Sequence, residues 1–294
     1  MKSLFLTGGS GFIGRYLFNN FDLNFRFYTR LSKPEISDEI VIHLAGKAHD
    51  LKNVSTFDEY YKVNTELTKE IFDAFLTSEA KVFITLSSVK AVADEVDGEL
   101  SEDAIPNPIT HYGKSKLLAE QYILSKPIPE GKRVYILRPC MIHGPGNKGN
   151  LNLLYSLVSK GLPWPLGLFE NSRSYLSIEN LCFIIKELLD REDIPSGVYN
   201  VADDVPLSTN EVIKMIAASK GKKARILNLS QNLIKLLSRV GDSLKLPLNS
   251  ERLQKLTESY VVNNSKIKEA LGKQLPVSSK EGLMRTFQSF SDNA

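Results

Sequence analysis

The chain has 294 residues, with 37 Lys and Arg against 34 Asp and Glu. That length predicts one large domain with a smaller one appended rather than a single core. A net charge of +3 with scattered cations argues against a nucleic-acid or membrane patch, and two cysteines are too few for a disulfide framework. No apolar run reaches the ~18 residues that a spanning helix needs. Met1-Lys2 leads straight into a strand pattern, so a cytoplasmic protein with Cys140 and Cys182 both reduced is expected.

Residues 2–7 (KSLFLT) predict a buried strand. GGSGFIGRYLF follows, with Gly8, Gly11 and Gly14 three residues apart, and predicts a tight turn into a helix over 11–20. Strand, glycine turn and helix N-terminus make an anion site, because backbone N–H groups and the helix dipole converge there. Glycines let that backbone approach a pyrophosphate. The spacing is G-x-x-G-x-x-G, not the commoner G-x-G-x-x-G. A second strand is predicted at 25–29 and ends at Arg30. Sites that prefer NAD place an acid about 20 residues past the turn, on the ribose 2′-OH. No acid occurs between Asp22 and Glu35, and Arg30 stands where it would pair a 2′-phosphate. NADP(H) is therefore favoured, with NAD(H) as the alternative.

Further strands are predicted at 39–44, 81–87 and 133–138, and helices at 57–77 and 112–125. Strand-like runs alternating with helices predict an α/β fold: a doubly wound parallel sheet with helices on both faces. The acidic stretch between Val92 and Thr110 predicts a solvated loop. Helices are then predicted near 151–160 and at 178–190, 208–220, 230–240, 250–257, 264–271 and 279–290, making the later part smaller and mainly helical. Trp164, bracketed by Pro163, Pro165 and Gly167, is either a pocket wall or core packing.

Tyr112 and Lys116 stand four residues apart in HYGKSKLLAE and share a helix face. An ammonium beside a phenol favours the phenolate and lowers its pKa from the usual ~10 toward neutrality. Such a phenol exchanges a proton with a sugar hydroxyl or a ketone. Ser87-Ser88 end a predicted strand, and ligands of open α/β sheets bind at that edge. The glycine turn, VIHLAG and LRP end strands on the same edge.

With these motifs in place, the chain resembles an extended short-chain dehydrogenase/reductase of the nucleotide-sugar epimerase/dehydratase family. TGGSGFIG at 7–14 matches the family's cofactor turn, and VIHLAG at 41–46 matches the strand that runs along the cofactor. Asn64 in YKVNTEL matches an Asn of the following helix. LSS at 86–88 with Tyr112 and Lys116 matches the catalytic Ser/Thr, Tyr and Lys. LRPCMIHGPG at 137–146 resembles the segment closing over the nicotinamide, and RSYLSIENL at 173–181 the segment whose arginine binds a sugar-nucleotide diphosphate. SSVK (87–90), GPGNKGN (144–150), LPWPLG (162–167) and NSRSYLSIEN (171–180) are similar to bacterial reductases of UDP-4-keto-6-deoxy-N-acetylhexosamines, which serve surface polysaccharide synthesis, and to UDP-glucose 4-epimerase-like proteins.

The resemblance implies a Rossmann-like NAD(P)-binding domain over 1–145 and a nucleotide-sugar substrate domain over 146–294, with the chain crossing between them. It implies catalysis by Ser88, Tyr112 and Lys116, with Ser87 as the alternative to Ser88. Cofactor contacts would come from Gly8, Gly11, Phe12, Ile13, Gly14, Arg30, Leu44, Ala45, Gly46, Asn64, Ser87, Tyr112, Lys116, Pro139 and Met141. Substrate contacts would come from Ser88, Lys90, Tyr112, Asn150 and Arg173, with Arg173 on the diphosphate. Lys90 and His49 read either as surface residues or as sugar contacts. No metal is expected.

The chain departs from the family pattern at three places. Asp38 follows Arg30 by only eight positions, whereas a parallel crossover takes about a dozen residues, so one strand is expected to be missing. Ile142-His143 replaces Val-Tyr before Gly144-Pro145, and Met141 stands where an Asn is frequent. Val89-Lys90 follow Ser88, where 4,6-dehydratases carry Asp-Glu, and this argues against dehydration. The expected activity is reduction at C4 of a UDP-4-keto-6-deoxy-N-acetylhexosamine. The alternative is 4-epimerisation of UDP-glucose or UDP-GlcNAc by the same three residues. A third reading is a non-catalytic nucleotide sensor. The expected partners are a UDP-sugar and a second copy of the chain, through helices 57–77 and 112–125, with neither nucleic acid nor membrane.

Overall fold

A computed structural model describes residues 1–29, 33–48, 56–147, 149–244 and 249–291. In chain order the elements are β1 (Ser3–Thr7), α1 (Phe12–Asn20), β2 (Asn24–Phe27), β3 (Ile40–His43), α2 (Phe57–Tyr60), a π-helical segment (Tyr61–Glu66), α3 (Leu67–Thr77), β4 (Val82–Leu86), a short 3-10 turn (Val89–Ala91), β5 (Glu99–Leu100) and α4 (His111–Leu124). They continue with β6 (Arg133–Pro139), β7 (Met141–His143), α5 (Asn150–Ser159), β8 (Tyr175–Ser177), α6 (Ile178–Asp190), β9 (Gly197–Val201), α7 (Thr209–Ser219), α8 (Gln231–Leu244), α9 (Ser250–Thr257), β10 (Val261–Val262), α10 (Ser265–Leu271) and α11 (Ser279–Ser291).

Six strands form one parallel sheet in the order β2-β1-β3-β4-β6-β9. The strand order reverses at β1, which lies between β2 and β3, and such a switch point opens a crevice outside the strands' C-terminal ends. The register brings those ends level: Thr7 opposes His43, His43 opposes Thr85, and Leu86 opposes Leu137. Successive strand residues point to opposite faces. Leu4, Leu6, Ile42, Ile84 and Tyr135 pack with Leu17 of α1 and Leu181, Ile185 and Leu188 of α6. Phe5, Val41, Phe83, Val134 and Ile136 pack with Ile71, Phe72 and Phe75 of α3 and Ile123 of α4. Covering both faces with helices is why these strands read as continuous apolar runs.

The predicted helix over 57–77 is continuous but changes winding at Tyr61–Glu66. The sequence reading placed no strand after 138, yet β9 joins the sheet beside β6. A short run such as GVYNV becomes a strand only when the crossover helix α6 returns it to the sheet edge. Between β2 and β3 no further strand occurs among the described residues, as the short link required.

The 92–110 stretch is not a free solvated loop. β5 pairs with β10, the Tyr260 hydroxyl donates to the Ala93 carbonyl (2.7 Å), and Asp94 accepts from Ile109 N (2.6 Å) and Thr110 N (3.0 Å). A smaller core in the C-terminal part holds Trp164, Tyr175, Val212, Ile216, Leu253 and Phe287. Trp164 is packing: its ring is buried there and its Nε1 donates to Asn210 Oδ1 (3.0 Å). No described helix is long and apolar enough to cross a membrane.

Candidate active site

The glycine turn is shaped by close approach. Gly8 has φ +72°, and a Cβ there would stand 2.7 Å from Ala45 N and Leu44 C. A Cβ on Gly14 would stand 2.5 Å from Gly8 O. These contacts press β1, the turn and α1 against the exit of β3, which places Leu44, Ala45 and Gly46 beside the turn. α1 begins after Gly11 with no side-chain cap and no acid in its first turn. Its first N–H groups are therefore left for a ligand.

A hydrogen-bond chain runs from this turn to α3. Ala45 N donates to Thr7 Oγ1 (3.0 Å), and Thr7 Oγ1 and His43 Nδ1 are 2.7 Å apart. His43 Nε2 lies 2.9 Å from Thr68 Oγ1, which donates to Asn64 O (2.7 Å). Because the Thr68 hydroxyl donates onward, it accepts from His43, so Nε2 carries the proton and Nδ1 accepts from Thr7. That order needs a neutral imidazole. Burial, with the Lys116 charge second, lowers His43 to about 3.

Asn64 lies in the π-helical segment, fully buried. Its amide bonds both ways with the Lys47 backbone (2.7 and 3.1 Å) and donates to Ser115 Oγ (2.9 Å). It thereby joins the loop after β3 to α4. A Cβ on Gly46 would meet Lys116 Nζ at 3.1 Å and Asn64 Oδ1 at 3.2 Å. Gly46, Asn64 and Lys116 thus share one corner, beside the glycine turn.

Ser88 caps the 3-10 turn after β4, accepting from Lys90 N (3.2 Å). Its hydroxyl is also close enough to the Tyr112 phenol to pull that group's pKa down. Ser87 Oγ, one residue earlier, is buried without a partner. Of the two serines, Ser88 is the one that acts on the tyrosine's pKa. Gly113 makes this meeting possible: a Cβ there would sit 2.3 Å from Lys90 O and 2.8 Å from Pro108 Cβ. The start of α4 lies directly on the turn that carries Ser88. Sequence reasoning missed Gly113, although a glycine directly after the tyrosine was visible.

One expectation is reversed. Tyr112 is raised above its ordinary pKa, not lowered: burial dominates, the Ser88 hydrogen bond opposes it, and Tyr60 adds to it. Lys116 is not among the groups that act on it, and its Nζ donates to the Leu86 carbonyl (2.8 Å). Lys116 itself is lowered to about 8 by burial, against the pull of Glu120.

Lys90 and Arg173 share a second neighbourhood. Lys90 Nζ donates to Asp94 O (2.6 Å) and lies 4.3 Å from the Tyr260 ring centre. Burial lowers its pKa first, Arg173 lowers it further, and Asp94 and Glu258 oppose. Arg173 pairs with Glu258 (3.3 Å) and donates to Lys255 O. Pro139 ends β6 and Met141 opens β7, while Phe12 reaches Gly144, whose Cβ would lie 3.1 Å from the Phe12 ring. Arg30, His49 and the side chain of Asn150 lie outside the described residues. Cys140 and Cys182 are free thiols, and no group of three metal-type ligands occurs among the described residues.

A glycine cradle, uncapped helix N–H groups and a buried, partnerless Ser87 hydroxyl at one sheet edge fit a dinucleotide. The chain belongs to the NAD dependent epimerase/dehydratase family, whose model matches residues 29–202. It is similar to a UDP-glucose 4-epimerase of Vibrio cholerae, at 30% identity over 98% of this chain and 95% of that one. It is also similar to a GDP-6-deoxy-D-mannose reductase of Pseudomonas aeruginosa, at 26% identity over 74% of this chain and 79% of the relative. A solved structure of RMD from Pseudomonas aeruginosa, complexed with NADPH, superposes over the full length of both chains with TM-score 0.74 at 20% identity.

Proposed function

We propose that the protein reduces the C4 ketone of a UDP-linked 6-deoxy-N-acetylhexosamine with NADPH. The observation that carries this reading is the seating of α4 on the turn after β4, with Gly113 against Lys90 O, which sets Tyr112 beside Ser88 at the C-terminal edge of the sheet. A bound nicotinamide dinucleotide supplies the hydride. Tyr112 gives its phenolic proton to the oxygen that was the ketone, and burial keeps that proton in place until it is needed. The Ser88 hydroxyl donates to the same oxygen as its charge develops. Lys116, held between Leu86 O and Gly46, would present its ammonium to the dinucleotide's ribose. Gly8, Gly11 and Gly14 would hold the pyrophosphate.

The two positions after Ser88 argue against water elimination. Val89 carries no proton and is buried, and Lys90 Nζ is bound to the Asp94 carbonyl. Arg173 and Asn150 are the proposed ligands of the sugar-nucleotide diphosphate. The NADPH preference rests on Arg30 and on the lack of an acid nearby. Asp38, the buried carboxylate next along, is taken by Arg26 (2.8 Å to Nε).

A 4-epimerase reading is favoured by the 30% identity to the Vibrio cholerae enzyme. The test is NADPH oxidation with UDP-4-keto-6-deoxy-GlcNAc, with product stereochemistry read by NMR. Steady oxidation that Tyr112→Phe lowers by about 10²-fold or more supports reduction. Interconversion of UDP-GlcNAc and UDP-GalNAc without added reductant would establish the epimerase instead.

A further inference from the structure

α8 keeps an apolar face in solvent. Only Ile234, Ser238 and Gly241 of this helix are buried. Ile234 enters the C-terminal core, and Ser238 Oγ lies 3.5 Å from Ser250 Oγ of α9. Leu233, Leu236, Leu237, Val240 and Leu244 follow the spacing of a second helix face, and they are 43–65% exposed. Leu168, also exposed, stands at the helix start, where Gln231 Nε2 donates to its carbonyl (2.8 Å). Single exposed leucines are ordinary on a protein surface, but a contiguous row marks an interaction site.

The segment that carries this face is positive. Residues 220–244 carry six cations and one carboxylate, a local +5 in a chain whose total is +3. Lys222, Lys223, Arg225, Lys235 and Arg239 are exposed, and none joins an ion pair among the described residues. The one acid, Asp242, is turned to α9 and accepts from Ser250 N (2.9 Å) and Ser250 Oγ (2.6 Å).

We propose that α8 docks flat on an anionic lipid surface, with the leucine row in the acyl boundary and the cations on headgroup phosphates. At 14 residues the helix is about 21 Å long, too short to span a bilayer and well suited to lie in its plane. A second copy of the chain fits less well, because a two-fold contact would set one +5 segment against another. Counting cations over the whole chain hid this cluster, and the proposal departs from the expectation of no membrane contact. α9 connects the face to the site: Lys255 O and Glu258 both hold Arg173.

The full chain is to be sedimented with vesicles of phosphatidylcholine, with and without about a third phosphatidylglycerol. Binding is expected only to the anionic vesicles, falling about tenfold or more between low and high salt. Leu236→Glu with Val240→Glu should cut binding at least about tenfold while leaving far-UV dichroism and the thermal midpoint intact, since both side chains are exposed. Lys235→Gln with Arg239→Gln should weaken binding and flatten its salt dependence. No binding to anionic vesicles, or equal binding by the double glutamate variant, would overturn the proposal. So would a concentration-dependent dimer that the glutamates dissolve while no vesicle binds, which would assign the face to a second copy.

Discussion

Replacing Glu120 by Gln should both destabilise the fold and move the pH profile of catalysis. Arg138 on β6 and Glu120 on α4 form a forked pair: Nε lies 3.0 and 3.1 Å from the carboxylate oxygens and Nη2 lies 2.6 Å from Oε2. Their side chains are 6% and 2% exposed, so water cannot take over for either partner. Arg138 Nη1 already has no partner, which leaves the guanidinium dependent on this one carboxylate. Gln keeps the shape and one acceptor but removes the charge. Breaking a buried pair on one side costs about 3–5 kcal/mol. For a chain of 294 residues that is a drop of roughly 5–8 °C in Tm. Glu120 also lies one turn beyond Lys116 and is the charge that opposes its lowering to about 8. Without it Lys116 loses its proton at lower pH, so the alkaline limb of kcat/KM should shift to lower pH. Chemical denaturation gives the first quantity and the pH–rate profile the second. A stability within about 1 kcal/mol of the wild type would refute the claim that Arg138 depends on Glu120. Glu120→Leu with Arg138→Met should recover much of the loss, because replacing both charges removes the unpaired one.

Other outcomes follow from the same geometry. Lys116 titrates at about 8 folded and 10.5 unfolded, so between those values only the unfolded chain holds the proton and stability rises with pH. Lys116→Met should abolish that rise in denaturation series run near pH 8 and near pH 10; equal slopes for both proteins would contradict the burial of a charged lysine. His43 stays neutral to about 3 while the unfolded imidazole protonates near 6.5. Stability should therefore fall as pH drops through that window, by about 1.4 kcal/mol per unit, and His43→Gln should flatten the slope. Gly14→Ala sets a Cβ 2.5 Å from Gly8 O and 2.6 Å from Gly9 Cα, so the turn must open. Dinucleotide affinity measured by calorimetry should weaken about tenfold or more, and an unchanged affinity would exclude the cradle. Gly113→Ala should push α4 off the Ser88 turn and lower kcat by about 10²-fold with little change in dinucleotide affinity.

Local chemistry was enough to read the helices and the first strands from the sequence. Glycine spacing, helical periodicity and strand runs act over a few residues, and the helices over 178–190 and 250–257 stand where periodicity put them. The Tyr112/Lys116 spacing likewise placed both side chains on one helix, because four residues make about one turn. Contacts between distant segments decided the rest. Gly113 matters because Lys90 O lies against it, and Asp94 because Thr110 folds back onto it. GVYNV became a sheet strand only through α6, and the leucine row of α8 stayed in solvent because only Ile234, Ser238 and Gly241 of that helix are buried against the rest of the fold. The direction of the Tyr112 shift also came from the fold: an (i, i+4) lysine predicts a lowered pKa, but desolvation by surrounding elements raises it, and Lys116 Nζ is directed at Leu86 O. Sequence by itself determined which groups the chain possesses and where they sit along each element. The tertiary structure determined their desolvation and their partners, because burial and long-range contacts exist only once the segments pack.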